Sequence, residues 1–420
     1  MPIRYLLGAF MCLQMLVGPT FAYHGLDEYQ NIVYQMKVPD DQYFDYVIPA
    51  VLCFIFGLHI SAKQLHGEVL EMKAIGRFVD LSGKLPFIFV AIGFVASVIA
   101  SYFSTALGFV FYLLSSFKFI GAFMLLLGTR ALKRSVLILV FGSIILSSLK
   151  GAMFHDLLTW IIMTGTVAAI KYKPSMLLKA GVVFGFLLMA IVIQQLKGDY
   201  RKAAWGAGES GVGVFNEIYE KKQADNSIFG KESLARSNVR INQGFIITNI
   251  MRNVPAVVPH ANGAELYQII EAAVLPRIIA PNKLNAGDPK IFMKYSGMTL
   301  HKGTSMALSS VGDGYINFGI AGGWLFMFVL GLFFSEVLNG FRNASRHYPV
   351  LLLFTPLVFY YPIRPDCELQ TSLGHLVKCI FLIYFIVKMW PSQFMRRRPA
   401  VTATDKKPEV VIPLPPGQFA

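Results

Sequence analysis

Three arginines, Arg236, Arg240 and Arg277, carry the clearest chemical signal in the chain. Arg236, Arg240 and Gln243 recur at i, i+4 and i+7 within ESLARSNVRINQGFIITNIMRNVP, so a helix places them on one face. A guanidinium stays charged at any physiological pH and offers a planar fork of donors that fits phosphate oxygens two at a time. Two such groups stabilise a departing diphosphate without a metal ion. The same face also suits anionic lipid head groups. Phe245, Ile246, Ile250 and Met251 add an apolar stripe, which predicts a helix lying along a membrane surface. Arg277 and Lys283 stand in LPRIIAPNK, where two prolines stiffen the backbone that carries them. Asp313, in SVGDGYINFGIAGG, is placed to act as a base or to orient an arginine. The same stretch also reads as a helix start, with an acid near the N-terminus and small residues for packing.

These residues need a scaffold, and the composition says what kind. Of 420 residues, 55% are hydrophobic and 15% are charged, against ~25% charged in ordinary soluble domains. Mean hydropathy is +0.54. This is an integral membrane protein by composition. The net charge of +14 does not indicate nucleic acid, because the basic residues sit mostly in short connectors between apolar runs. The four cysteines, Cys12, Cys53, Cys367 and Cys379, form no CxxC or Cys/His spacing, so neither a metal nor a disulfide framework is expected. No cofactor is implied.

Ten apolar runs follow: Tyr5–Tyr23, Tyr46–Ile60, Leu85–Tyr102, Leu107–Gly128, Ser135–Leu149, Asp156–Ile170, Ala180–Leu196, Phe318–Leu338, Pro349–Tyr361 and Leu373–Trp390. The first has the form of a signal peptide as well, and its length favours a retained helix. The expected organisation is therefore spans one to seven over 1–196, a large loop over 197–314, spans eight to ten over 315–391, and a polar, Pro-rich disordered tail over 392–420. With the N-terminus inside, the connectors at 61–84, 129–134, 171–179 and 339–348, and the Arg396–Arg398 tail, all fall on the cytoplasmic side. That satisfies the positive-inside bias, so both termini are expected to be cytoplasmic and the large loop extracytoplasmic. Leu266–Leu275 reads as a second amphipathic helix of that loop, stopped by Pro276. Lys118 falls midway along span four, where a charge is costly; it either neutralises a lipid diphosphate or pairs inside the bundle. Arg364, Asp366 and Glu368 form a compact charged loop at the outer end of span ten, placed to cap the same cavity.

Three stretches, in order, resemble the Wzy-type polymerases of the O-antigen polymerase and ligase superfamily. They are the Arg-rich helix ending in NVP, the block NGAELYQIIEAAVLPRIIAPNK, and SSVGDGYINFGIAGG before a late span. Arg252 and Gly263 also match an Arg-x10-Gly pattern found in some periplasmic loops of these enzymes. The resemblance implies an all-α, GT-C-like fold in a bacterial inner membrane. It implies glycosyl transfer from one polyprenyl-diphosphate-linked oligosaccharide to the terminal hydroxyl of another. Membrane lipids, a flippase and a chain-length regulator are the partners it brings with it. On this resemblance Arg236, Arg240, Arg252, Arg277, Lys283 and Lys118 hold the diphosphate. The groups that orient or deprotonate the acceptor come from His301, Asp313, Glu265 and His260, with His301 preferred as tunable near neutral pH. An O-antigen-type ligase, which uses another acceptor, and a flippase or exporter without catalysis are the competing expectations. A single long loop set asymmetrically among the spans speaks against a transporter built of paired halves.

Overall fold

The computed structural model describes residues 2–62, 67–103, 105–128, 134–224, 230–277, 279–300 and 306–395. His301 and the Arg396–Arg398 tail lie outside them. Among the described residues every regular element is helical. Six helices are long and apolar enough to cross a membrane: Ile3–Tyr23 (α1), Asp40–Ile60 (α2), Gly108–Leu127, Met176–Gly206, Ser309–Ser345 and Leu369–Met389. A seventh crossing results if Ala74–Ser82 and Leu85–Ile99, bent by 80° to each other, are taken as one. The apolar runs at 135–149 and 349–361 are the shorter helices Ser135–Gly151 and Pro349–Val358. The run at 156–170 lies within the helix His155–Tyr172.

Chain order gives the remaining labels. They are α3 (Gly67–Ser82), α4 (Leu85–Ile99), α5 (Thr105–Ser115), α6 (Phe117–Leu127), α7 (Arg134–Gly151), α8 (His155–Tyr172), α9 (Met176–Lys202) and α10 (Val212–Ala224). Next come α11 (Lys231–Ile241), α12 (Gly244–Asn253), α13 (Ala264–Val274), α14 (Pro289–Ser296), α15 (Ser309–Ser345), α16 (Pro349–Val358) and α17 (Leu369–Met389).

The frame is the pair α2 and α15. A β-carbon on Gly57 would run into the Phe328 carbonyl, and one on Gly331 into the Phe54 carbonyl, so the two backbones touch where small residues permit it. Tyr46 donates to the Val311 carbonyl at 2.7 Å, Trp324 to the Tyr46 carbonyl at 2.9 Å, and Asn339 to the Ser61 carbonyl at 3.1 Å. Residue numbers rise together along both helices, so they run parallel. Helix α1 runs against them. Arg4 reaches the Leu58 carbonyl at 3.1 Å and Asn339 at 2.7 Å, while Tyr43 donates to the Met15 carbonyl at 2.8 Å near its other end.

The segment between α9 and α15 is built into this frame. Asn238 of α11 donates to the Gly18 carbonyl at 2.9 Å, and the Gln243 amide to the Gln14 carbonyl at 3.1 Å. Helix α11 ends at Ile241 and Asn242 is extended, so Gln243 opens the next helix and does not share a face with Arg236 and Arg240. Every residue of α12 from Gly244 to Met251 is buried. The apolar stripe expected on a membrane surface thus packs against protein. An amphipathic face satisfies the hydrophobic effect equally against either. The expected boundaries at 196 and 314 both fall inside helices, α9 and α15.

Candidate functional site

The GDG stretch is shaped by a break at Gly319, whose φ of 68° suits glycine and few other residues. It divides α15 into a short leading helix and the long apolar one, and the first folds back so that Gly314 lies against Gly323. Asn317 is buried and ties the fold-back to α13: its side-chain oxygen accepts the Leu266 amide at 3.1 Å. The Ala261 amide bonds the Ile316 carbonyl at 2.9 Å, and Tyr315 donates to the Val254 carbonyl at 3.3 Å. Tyr315, Ile316 and Asn317 therefore hold the 254–266 segment against the fold-back.

That arrangement carries Asp313 into a cleft of about 390 Å³, measured with its open mouth. Its walls come from α13, the turn before α14, α14 itself, Met306 to Leu308 and the start of α17. Asp288, Asp313 and Glu368 supply three carboxylates, while Ile269, Phe292 and Leu308 supply apolar surface. Asp313 is only 7% exposed, and no described residue hydrogen-bonds or ion-pairs with its carboxylate. Asp288 N-caps α14 by accepting the Lys290 amide at 2.9 Å. Glu368 accepts the Gly287 amide at 2.8 Å and the Thr371 hydroxyl at 3.2 Å. Burial raises the Glu368 pKa; those two donors oppose the shift, and Asp288 adds to it.

A second, cationic group forms where α9 meets α11. Gln195 donates to Ser237 at 2.6 Å and to the Ser233 carbonyl, which fixes α11 against α9. Arg240 is thereby brought within electrostatic reach of Lys197 and Arg201, and Lys197 also feels Arg364. Arg201 bonds the Ala152 carbonyl at 3.1 Å and lies over Trp205 at 4.7 Å. Arg364 pairs with Asp366 at 3.3 Å. Burial opposes the Arg364 charge, yet the pair with Asp366 more than restores it, so its pKa lies above the usual arginine range. Lys197, Arg201 and Arg240 form no ion pair among the described residues. Such a group of like charges favours an anion. The loop Arg364–Glu368 joins the two regions, with Arg364 on the cationic side and Glu368 in the cleft.

Of the residues expected to bind diphosphate, only Arg240 joins this group. Arg236 donates to Ser233 at 3.3 Å and Arg252 to Asn249 at 3.4 Å, each within its own helix. Arg277 bonds the Pro281 carbonyl at 3.4 Å and the Asn285 side chain, which staples its own turn. Lys283 caps α13, donating to the Ala272 carbonyl at 2.8 Å and to the Leu275 carbonyl. Lys118 donates to Ser97 at 3.3 Å and lies over Phe94 and Phe119 at 5.3 and 5.5 Å. Among the acid–base candidates, Glu265 is taken up by Lys294 at 2.9 Å and Tyr295 at 2.8 Å, joining α13 to α14. His260 lies 3.1 Å from the Tyr315 carbonyl. Of the described acid–base candidates, Asp313 alone lines the cleft.

Lys197, Arg201 and Asp288 are the additions that the sequence reading did not single out. The first two stand at i and i+4, the spacing that drew attention to Arg236 and Arg240. No curated protein and no solved structure matches the chain. The family described as Domain of unknown function (DUF8712) matches residues 43–348, from early in α2 to the end of α15, and the chain belongs to that family.

Proposed function

We propose that this protein is a glycosyltransferase that joins polyprenyl-diphosphate-linked oligosaccharides at the extracytoplasmic side of a bacterial inner membrane. The reading is carried by the unneutralised group Lys197, Arg201 and Arg240, which the loop Arg364–Glu368 connects to a cleft holding an unpartnered buried carboxylate. A lipid-linked donor brings two phosphates and develops negative charge on them as the glycosyl bond breaks. Guanidinium groups fixed at that position stabilise the departing diphosphate. The acceptor hydroxyl enters the cleft and gives its proton to Asp313 as its oxygen bonds the anomeric carbon. The diphosphate leaves with the bonding electron pair, and the product keeps the acceptor's own lipid.

The ten-span, GT-C-like topology with both termini cytoplasmic belongs to the same reading. It places the Asp40 end of α2, the Asp313 cleft and the loop Arg364–Glu368 outside, where a lipid-linked glycan is assembled. Deletion of the gene, read on a glycan ladder gel, tests the function. Loss of long chains with retention of a single capped repeat supports polymerisation. Loss of all transfer to the final acceptor points to a ligase instead. Lipid-linked units gathering on the cytoplasmic face point to a flippase and overturn the proposal.

A further inference from the structure

We infer that the Asp313 cleft selects a glycan residue carrying a free amine, bound as its ammonium form between Asp313 and Glu368. This rests on the cleft being the acceptor side of the reaction proposed above. Three carboxylates, Asp288, Asp313 and Glu368, line one cleft, and none of its described lining residues is a Lys or Arg. Two of the three are already engaged, Asp288 by the Lys290 amide and Glu368 by Gly287 and Thr371. Asp313 is the exception. It is more than nine-tenths buried, it faces the cleft, and its carboxylate has no partner among the described residues. A buried acid left in this way is completed by a donor that enters from outside.

The geometry favours an organic cation over an inorganic one. Among the described residues no three His, Cys, Asp or Glu side chains are placed to hold a single metal ion. The cleft opens to solvent, with about 390 Å³ of space when its mouth is counted. Phe292 and Ile269 offer the apolar surface that the C–H face of a pyranose covers. A uronic acid would set its carboxylate among three acidic side chains and is selected against. An N-acetylated sugar keeps the hydroxyls but loses the charge that the carboxylates reward.

The experiment uses the full chain in detergent micelles, with glucosamine, N-acetylglucosamine and glucuronate as probes in saturation-transfer NMR and competition titration. Glucosamine is expected to bind roughly tenfold more tightly than N-acetylglucosamine, the effect of one charge-assisted hydrogen bond, and glucuronate not to bind. Asp313→Asn should bring glucosamine down to the level of N-acetylglucosamine. Glu368→Gln should produce a partial loss, which keeps the test sound if Asp313→Asn fails to accumulate. Equal binding of the two amino sugars, preferred binding of glucuronate, no binding of glucosamine, or unchanged binding in both variants would overturn the inference. Those outcomes leave the ladder gel untouched. A deletion strain that loses long chains while the protein ignores glucosamine would remove the amine and keep the transferase.

Discussion

At the scale of single residues, surroundings separate arginines that look alike in sequence. Arg236 and Arg240 lie one turn apart, yet Arg236 is satisfied by Ser233 while Arg240 faces Lys197 and Arg201. Lysine keeps the charge of arginine but not its fork. Arg240→Lys is therefore expected to cut polymer formation roughly a hundredfold, the scale of losing one fixed donor to a developing charge. Arg236→Lys should leave the glycan ladder near normal. A normal ladder from Arg240→Lys at equal membrane abundance would count against the diphosphate site. Glu368 gives a prediction in pH. Its pKa is raised by burial in the folded chain, so its contribution to stability is full below the unfolded value of ~4.3 and is lost as pH rises through the folded value. Glu368→Gln should flatten that part of the pH profile of thermal unfolding in detergent. Parallel profiles for the two proteins would show that Glu368 carries none of the slope.

At the scale of elements, the Arg-rich stretch and the GDG stretch were legible because spacing and glycine content survive without coordinates. The shared face of Arg236 and Arg240 was legible too, since an i, i+4 pair needs only a helix. The burial of α12 was not. Phe245, Ile246 and Ile250 make the same stripe whether lipid or protein covers it. Lys197 and Arg201 were hidden because they close an apolar run, where cations ordinarily snorkel to the interface. Asp288 precedes Pro289 as an ordinary helix cap, and nothing in that local pattern points to a cleft. The contact of α2 with α15 holds the cleft half of the molecule in register. Gly57→Ala and Gly331→Ala each push a methyl group into a facing backbone carbonyl. Each is expected to cost about 1–3 kcal/mol, read as a lowered thermal midpoint or reduced membrane accumulation. Gly340→Ala, which meets nothing within 4 Å, is the control and should be near neutral. Equal behaviour of all three would contradict the close packing.

At the scale of the whole molecule, the parallel course of α2 and α15 constrains the topology. Two parallel spans begin on the same face, so an odd number of crossings must lie between Ile60 and Ser309. The two long spans there, Gly108–Leu127 and Met176–Gly206, do not suffice alone. Counting the bent pair makes three, and the ten-span order makes five. The burial of Pro349 to Val358 fits a short, broken crossing, because irregular backbone is tolerated at membrane depth where protein surrounds it. Single cysteines at Glu28 and at His347, on a background lacking the native four, report the two ends. With the N-terminus inside, Glu28→Cys should react with an impermeant thiol reagent added outside, and His347→Cys only after the membrane is opened. Labelling of both from one side would break the arrangement.

Group transfer on a diphosphate-linked lipid is the activity that most needs direct measurement. The purified full chain in proteoliposomes, supplied with one polyprenyl-diphosphate-linked oligosaccharide, tests it with no other protein present. Free polyprenyl diphosphate is expected in step with a lipid-linked glycan of doubled length, with both products lost in Arg240→Ala and in Asp313→Asn. Redistribution of intact substrate across the bilayer, with no free diphosphate and no doubled product, would contradict it.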